Sequence, residues 1–513
     1  MAASRVIGIP ELLGLIAYQS NNHQTLYNAC LVNHAFNDVF TPYLYRNMRW
    51  NSGNVAYLID NERRRWLLEE HKAKHVRVLI MTNPVQYPDR EKHYGDRVHL
   101  DNRTRRRLHQ ISTAIIELSQ HFHQLRAFAC DMLALTPQCL RALSRLPHLE
   151  SCSIHFPALT RCNRDFKTFG SPWEEFAFAN LRKLAVLGIS DGIEDWSACI
   201  LQVALRSPHL ENLSLSILES IPFRTDYLEF FSWIAEQYNN NSGHKLRLKT
   251  LRLGRNILIP QNIDNLLDLQ ALQEISVYQD FYNDSWELIS PSLPACLFQP
   301  DLVPNLRKIF VATLDSNGYR AIQELAAASP VPLSLGFGSL DLREEEDSRP
   351  AYYQKCWQRL RDLRVSQLIV PQCSPIGIRY DDRGPRHEEG FSQVRKLTHI
   401  TDLALEITPF DPRHFVESNS HKPLTSLKSL WVMGAGDGSP SDLAKQCANA
   451  LPALRFVRFG YKAYHIHRKH DSEGGIDVEP LDEWEEAVDR PGFFNVPLPF
   501  WEPRYYGQQA ADL

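Results

Sequence analysis

The chain has 513 residues, a formal net charge of -4, and 43% hydrophobic against 23% charged residues; that length exceeds one compact core and points to several domains or to a repeat array. The near balance of 56 Lys+Arg with 60 Asp+Glu argues against nucleic acid or a membrane surface as the main partner, and no apolar run reaches the roughly 18 residues of a membrane helix. Its ten cysteines form no C-x-x-C, which removes zinc-ribbon and thioredoxin-like readings and leaves reduced thiols, as expected of a cytoplasmic and/or nuclear protein.

Pro10 and Glu11 interrupt the apolar stretch from Val6 to Ile16, which speaks against a signal peptide. Instead, Ile9-Pro10-Glu11-Leu12-Leu13 reads as a helix start. Proline loses no hydrogen bond in the first turn, and an acid there meets the positive end of the helix dipole. Leu12, Leu13 and Ile16 form its stripe. A second short helix carries Leu26, Ala29 and Cys30. Asn33 then caps a third with the stripe Ala35, Phe36, Val39 and Phe40. Pro42 is expected to end it, before Tyr43-Leu44-Tyr45-Arg46.

Three pieces, in this order and spacing, make residues 7–50 resemble the F-box in the form common among fungal F-box proteins. They are Ile9-Pro10-Glu11-Leu12-Leu13, Cys30-Leu31-Val32-Asn33-x-x-Phe36 and Pro42-x-Leu44-Tyr45-Arg46. The resemblance implies docking to the Skp-type adaptor of a cullin-RING ubiquitin ligase. It assigns that contact to Pro10, Leu12, Leu13, Ile16, Leu31 and Val32. Read from the residues alone, the same stripes also suit a small helical cap that buries those side chains internally.

Residues 51–74 read as a connecting helical segment. Arg63-Arg64-Arg65 within it, and Arg103, Arg105, Arg106 and Arg107 before the stripe Leu108, Ile111, Ile115 and Leu118, read as solvated helix faces. From residue 75 to 464 one pattern recurs: apolar, two residues, apolar, one residue, apolar. Clear copies are Leu149-Cys152-Ile154, Leu181-Leu184-Val186, Leu210-Leu213-Leu215, Leu248-Leu251-Leu253 and Leu272-Ile275-Val277. Others are Leu306-Ile309-Val311, Ile400-Leu403-Leu405, Leu427-Leu430-Val432 and Leu454-Val457-Phe459. Fainter ones start at Val76, Leu125 and Val365, with a degenerate one around Leu333-Leu335-Phe337. The last two apolar positions of each copy share one strand face. Between copies the period turns helical, as in Ile193–Arg206, in Tyr227–Tyr238 and around Ile322, Leu325 and Ala326. The stripe Leu443, Cys447 and Leu451 follows Pro440, with Ser441-Asp442 as its expected cap.

A strand-then-helix unit cannot bury its own apolar face, whereas stacked copies can. The expected fold is therefore α/β: an irregular solenoid of parallel strands alternating with helices, preceded by a small all-α module. This region resembles the leucine-rich repeats often joined to F-boxes. One copy fits the full consensus, Leu248-x-x-Leu251-x-Leu253-x-x-Asn256-x-Leu258; elsewhere the asparagine position departs from it, and irregularity is expected. Asp341–Pro350 and Gln372–Gly390 read as polar insertions, and residues 465–513 as an irregular cap or tail.

Candidate chemistry is weak. Gly188-Ile-Ser190-Asp-Gly192 matches a nucleophile elbow but lacks assignable partners. Gly434-Ala-Gly436-Asp-Gly438 falls short of a dinucleotide fingerprint. His465-Ile-His467-Arg-Lys-His470-Asp471 offers ligand atoms, yet the default is a solvated polar edge. The sequence therefore predicts no enzyme, no catalytic residue, no metal and no cofactor. What the resemblance implies is the target-recognition subunit of a Skp-cullin-F-box ligase, docking the adaptor through its first helices and an unidentified target protein through the solenoid. The alternative is a non-ligase repeat scaffold whose first helices only cap the array. Which solenoid residues bind a target is unknown from sequence.

Overall fold

The computed structural model describes residues 10–19, 23–50, 55–81, 102–131, 137–155, 178–189, 193–217, 230–254, 257, 259–277, 281–282, 288–289, 294–329, 333–341, 357–370, 380–381, 384–385, 396–405, 424–432, 439–459, 462–468 and 475–481. The chain divides between Arg247 and Leu248 into two compact units.

The first unit opens with helices α1 (Pro10–Gln19), α2 (His23–Cys30) and α3 (His34–Leu44). Six strands follow: β1 (Asn47–Trp50), β2 (Val78–Met81), β3 (Ala127–Asp131), β4 (Ser151–His155), β5 (Lys183–Ile189) and β6 (Asn212–Ile217). They pair in chain order, all parallel. Short helices over residues 56–73 separate β1 from β2, and Asn102–Ser119, Pro137–Ser144 and Ile193–Arg206 fill later crossovers.

In the second unit the strands are β7 (Thr250–Leu253), β8 (Glu274–Val277), β11 (Lys308–Asp315), β12 (Ser334–Asp341), β13 (Gln367–Val370), β16 (Asp402–Leu405), β17 (Ser429–Val432) and β18 (Phe456–Phe459). These pair in parallel in that order. Two antiparallel strands, β19 (Lys462–Arg468) and β20 (Ile476–Leu481), complete the row. Small hairpins β9 (Phe281–Tyr282) with β10 (Leu288–Ile289), and β14 (Tyr380–Asp381) with β15 (Gly384–Pro385), sit apart from it. Among the described residues no helix is long and apolar enough to cross a membrane.

The recurring sequence pattern explains the core. In-register rows run Leu79, Phe128, Cys152, Leu184, Leu213 in one unit and Leu251, Ile275, Ile309, Leu335 in the other, all buried. The first apolar position of each copy, such as Leu149, Leu181, Leu272 or Leu427, is buried at the turn into the strand. Each such side chain contributes about 1.5–3 kcal/mol of burial. The degenerate copy is β12, with Leu335 in the core. Helix stripes close the other side: Leu108, Ile111, Ile115 and Leu118 are all buried, as are Phe231, Ile234, Ala235 and Tyr238.

Adjacent copies are joined by main chain. The residue after the first apolar position offers one carbonyl that accepts two N–H groups from the next copy. Arg126 O accepts from Glu150 N at 2.8 Å and Ser151 N at 2.9 Å. Glu150 O, Arg182 O, Lys249 O, Gln273 O, Thr401 O and Lys428 O repeat the arrangement. A side-chain link recurs one residue before that leucine: Asn305 Nδ2 donates to Gln270 O at 2.7 Å, and Ser426 Oγ to Thr398 O at 3.0 Å. Asn180 makes the same bond to Pro147 O. Asn256 and Leu258 of the full-consensus copy lie outside the described residues.

Several local expectations need correction. The third helix does not end at Pro42; it runs to Leu44 with Pro42 inside. The last long helix is Pro440–Ala450, flanked by Ser439 rather than capped by Ser441, and Ser439 makes no side-chain cap bond. Arg64 is not a solvated side chain. It donates from Nε to Glu117 Oε2 at 2.7 Å, from Nη1 to Leu58 O at 2.9 Å and from Nη2 to Asn61 Oδ1 at 2.7 Å. The segment after His465, read as an irregular cap or tail, carries most of the β19–β20 hairpin.

Candidate functional site

The N-terminal trio forms its own small core. Leu13 and Ala17, one turn apart on α1, are buried with Leu26 of α2 and Phe40 and Leu44 of α3. Helix α3 packs against both others. Asn33 holds its start, in extended backbone at φ -167, with Oδ1 accepting from Phe36 N at 3.0 Å. Phe36 and Phe40 stack one turn apart, with centroids 5.5 Å apart. Thr41 Oγ1 donates to Asn37 Oδ1 at 3.0 Å within the same helix.

That core, with Ala29, Cys30, Phe36, Val39, Tyr43 and Tyr45 packed against it, leaves a set of large apolar side chains outside. Leu12, Leu15 and Ile16 share a second face of α1, and all three are exposed. So are Tyr27 on α2 and Leu31 and Val32 in the turn after it. The exposed fraction of these six runs from 37% at Leu12 to 67% at Leu31. The turn itself is ordered, with Leu31 N donating to Asn28 O and Val32 N to Ala29 O, both at 3.1 Å. Scattered exposed apolar residues are ordinary; a helix apolar on two faces with one in solvent is not.

The six residues picked from the sequence thus divide. Leu12, Ile16, Leu31 and Val32 are exposed, Leu13 belongs to the internal core, and Pro10 begins α1. Sequence reasoning passed over Leu15 and Tyr27. The spacing of Leu12, Leu15 and Ile16 (i, i+3, i+4) was the signal for Leu15. Reactive chemistry is not what the trio offers. Burial pushes the Cys30 thiol up, against a lowering contact with Thr41 Oγ1 at 3.9 Å. Burial, then the charges of Cys30, Glu69 and Tyr27, raise Tyr45 to about 12. Both stay protonated near neutrality.

The strand surface opposite the leucine rows differs between units. Across β3–β6 the half-buried, small residues Ala127, Ser151, Ser153, Ala185, Asn212 and Ser214 share it with exposed Lys183 and buried Ala129. Across β7, β8 and β11 a cross-strand cluster forms: Glu274 lies 3.1 Å from Arg252 Nη2 and 3.5 Å from Lys308 Nζ. Burial works to raise the Glu274 carboxyl, but the two cations and their hydrogen bonds outweigh it and hold it below the usual range. Farther on, Asp402, Ala404, Ser429, Trp431 and Arg458 are buried, with Arg458 lying over the Trp431 ring at 4.4 Å.

Of the other motifs, Gly188 lies in β5, while Ser190 and the stretch 434–438 fall outside the described residues. The insertions 342–350 and 372–390 do so as well, apart from the β14–β15 hairpin. His465 and His467 are brought together on β19, and Glu479 of β20 joins them.

No family model matches the sequence, and no curated protein does. Among solved structures, an internalin from Listeria monocytogenes matches over 66% of this chain and 81% of its own, at 14% identity and a TM-score of 0.24.

Proposed function

We propose that this chain is the target-recognition subunit of a Skp-cullin-F-box ubiquitin ligase. The trio α1–α3 docks a Skp-type adaptor, and through it a cullin, by covering Leu12, Leu15, Ile16, Tyr27, Leu31 and Val32. The parallel-strand repeats hold the target protein. One observation carries the reading: the trio completes its own core with Leu13, Ala17, Leu26, Phe40 and Leu44, yet keeps a second set of large apolar side chains in water. An internal cap would bury that set; a docking face leaves it out for a partner's groove. The F-box resemblance of residues 7–50 supplies the identity of the partner. The chain then works by proximity, raising the effective concentration of a target lysine near a charged enzyme. The half-buried strand surface of β3–β6 is the part of the array we assign to the target, because the corresponding residues of β16–β18 are buried.

Co-purification with a Skp-type adaptor tests this. The full chain is expected to retain it in stoichiometric amount, and Leu12→Asp/Ile16→Asp is expected to lose it while keeping its thermal transition. Loss of the transition in that variant would make the helices a cap, and the protein a repeat scaffold outside any ligase. A folded wild type that retains no adaptor would also refute the ligase reading.

A further inference from the structure

We infer that His465, His467 and Glu479 form a binding site for a zinc-type divalent cation on the terminal hairpin. The argument begins with register. In the antiparallel pair β19–β20, His465 faces Glu479 and His467 faces Asp477. Directly opposed residues share a face of the sheet, as do residues two apart on one strand. Two imidazoles and two carboxylates therefore stand two by two on one side of the hairpin.

The side chains converge. His467 Nε2 lies 2.9 Å from Glu479 Oε2. The two imidazole rings are 4.0 Å apart at their centroids, inclined by 62°. The ligand atoms of His465, His467 and Glu479 all lie within 4.8 Å of one another. Metal–ligand bonds of about 2.0–2.2 Å would bring such atoms closer, and side-chain rotation alone can supply that on an exposed strand. His465 already has its ring plane set: it stacks on Phe456, its register partner on β18, at 4.8 Å and 12°. His467 and Glu479 are open to solvent, so an ion has a direct way in.

The donor set selects the ion. Two imidazole nitrogens and one carboxylate oxygen suit zinc and its transition-metal neighbours, whereas magnesium and calcium take oxygen ligands. Three protein ligands leave a coordination position for water or an external group. The cation would replace the His467–Glu479 contact and link β20, the last strand of the row, to β19. Asp477 is already engaged, its Oδ1 accepting from Val478 N at 3.0 Å, and the site does not require it.

The test is calorimetric titration of the chelator-treated full-length protein with zinc chloride. One saturable equivalent per chain is expected, with a rise in Tm that magnesium does not produce. Cobalt(II) is expected to give the intense visible absorption of a four-coordinate ion. The chain holds 20 histidines, so variants decide where the ion sits. His467→Asn and Glu479→Gln should each weaken binding by about tenfold or more, with the metal-free Tm unchanged. His109→Asn, on an exposed helix face, should leave affinity intact. No saturable heat, wild-type affinity retained in both site variants, or an equal response to magnesium would each overturn the assignment.

Discussion

Arg64 donates from Nε to Glu117 Oε2 at 2.7 Å, joining two residues that lie 53 positions apart in sequence. The guanidinium is nearly enclosed, with 12% of its side chain exposed, and it also serves Leu58 O and Asn61 Oδ1. It ties the segment after β1 to the long helix Asn102–Ser119. Arg64→Met leaves those acceptors unserved and should cost about 1.5–3 kcal/mol of stability. Arg64→Lys should recover little of that, because an ammonium lacks the planar fork that serves several acceptors at once. Urea unfolding of both variants, with Glu117→Gln completing a double-mutant cycle, reads the coupling directly.

Helix α1 carries two apolar faces that should respond oppositely. Leu13→Ala empties part of a closed core and should cost about 2–5 kcal/mol. Leu15→Ala and Ile16→Ala truncate side chains more than half exposed and should stay within about 0.5 kcal/mol of wild type. Thermal unfolding of the three single variants checks the contrast, and equal destabilisation by all three would contradict the division of faces.

The Glu274 cluster makes a pH prediction. Its carboxyl titrates below the ordinary value because Arg252 and Lys308 outweigh the burial that works to raise it. A lowered folded-state pKa stabilises the native state above the unfolded value of about 4.3, and that contribution disappears as pH falls through the folded value. Glu274→Gln should therefore destabilise the protein at pH 7 by about 1.5–3 kcal/mol. The gap to wild type should narrow below about pH 4. Chemical unfolding of both proteins across that range measures it.

Arg364 has φ 52, a left-handed conformation, at the end of the helix over residues 357–362. Arg364 N donates to Arg361 O at 3.0 Å and Val365 N to Leu360 O at 3.4 Å. This is the helix-ending pair of bonds that glycine normally makes. Leu360 and Val365 supply the accompanying apolar contact positions, both buried. Arg364→Gly should raise stability by up to about 1 kcal/mol, read as a higher Tm; a lower Tm would mean the arginine side chain matters more than its backbone strain.

Much of the architecture was legible because burial follows spacing. The triplet beginning at Leu149 or Leu427 puts two side chains on one strand face and one in the turn, and the structure buries all three. Strand β1 escaped notice although Tyr45, Met48 and Trp50 obey the same spacing, since aromatic residues and methionine stood where leucine was sought. The division of α1 was illegible for a different reason. Leu12, Leu13 and Ile16 are all apolar, and a periodicity argument cannot tell a core-facing leucine from a neighbour left for solvent or a partner. The role of Arg64 was hidden because its acceptors, Leu58 O and the carboxylate of Glu117, become neighbours only after folding. Glu479 was missed because hairpin register, which no local motif encodes, is what sets it opposite His465.

The joint between successive copies is made of main chain: one carbonyl and two N–H groups. Some residues at that joint add a side-chain bond to it, Arg77 Nη1 donating to Gln124 O at 3.4 Å and Thr401 Oγ1 to Ser366 O at 3.1 Å. Arg126, Glu150 and Arg182 in the first unit instead form surface ion pairs: Arg126 with Glu150 at 3.9 Å and Arg182 with Glu211 at 3.4 Å, each worth little to the fold. Charge at Arg126, Glu150 and Arg182 can thus be inverted residue by residue without a change of scaffold. The array carries an electrostatic label that can be rewritten independently of the architecture displaying it.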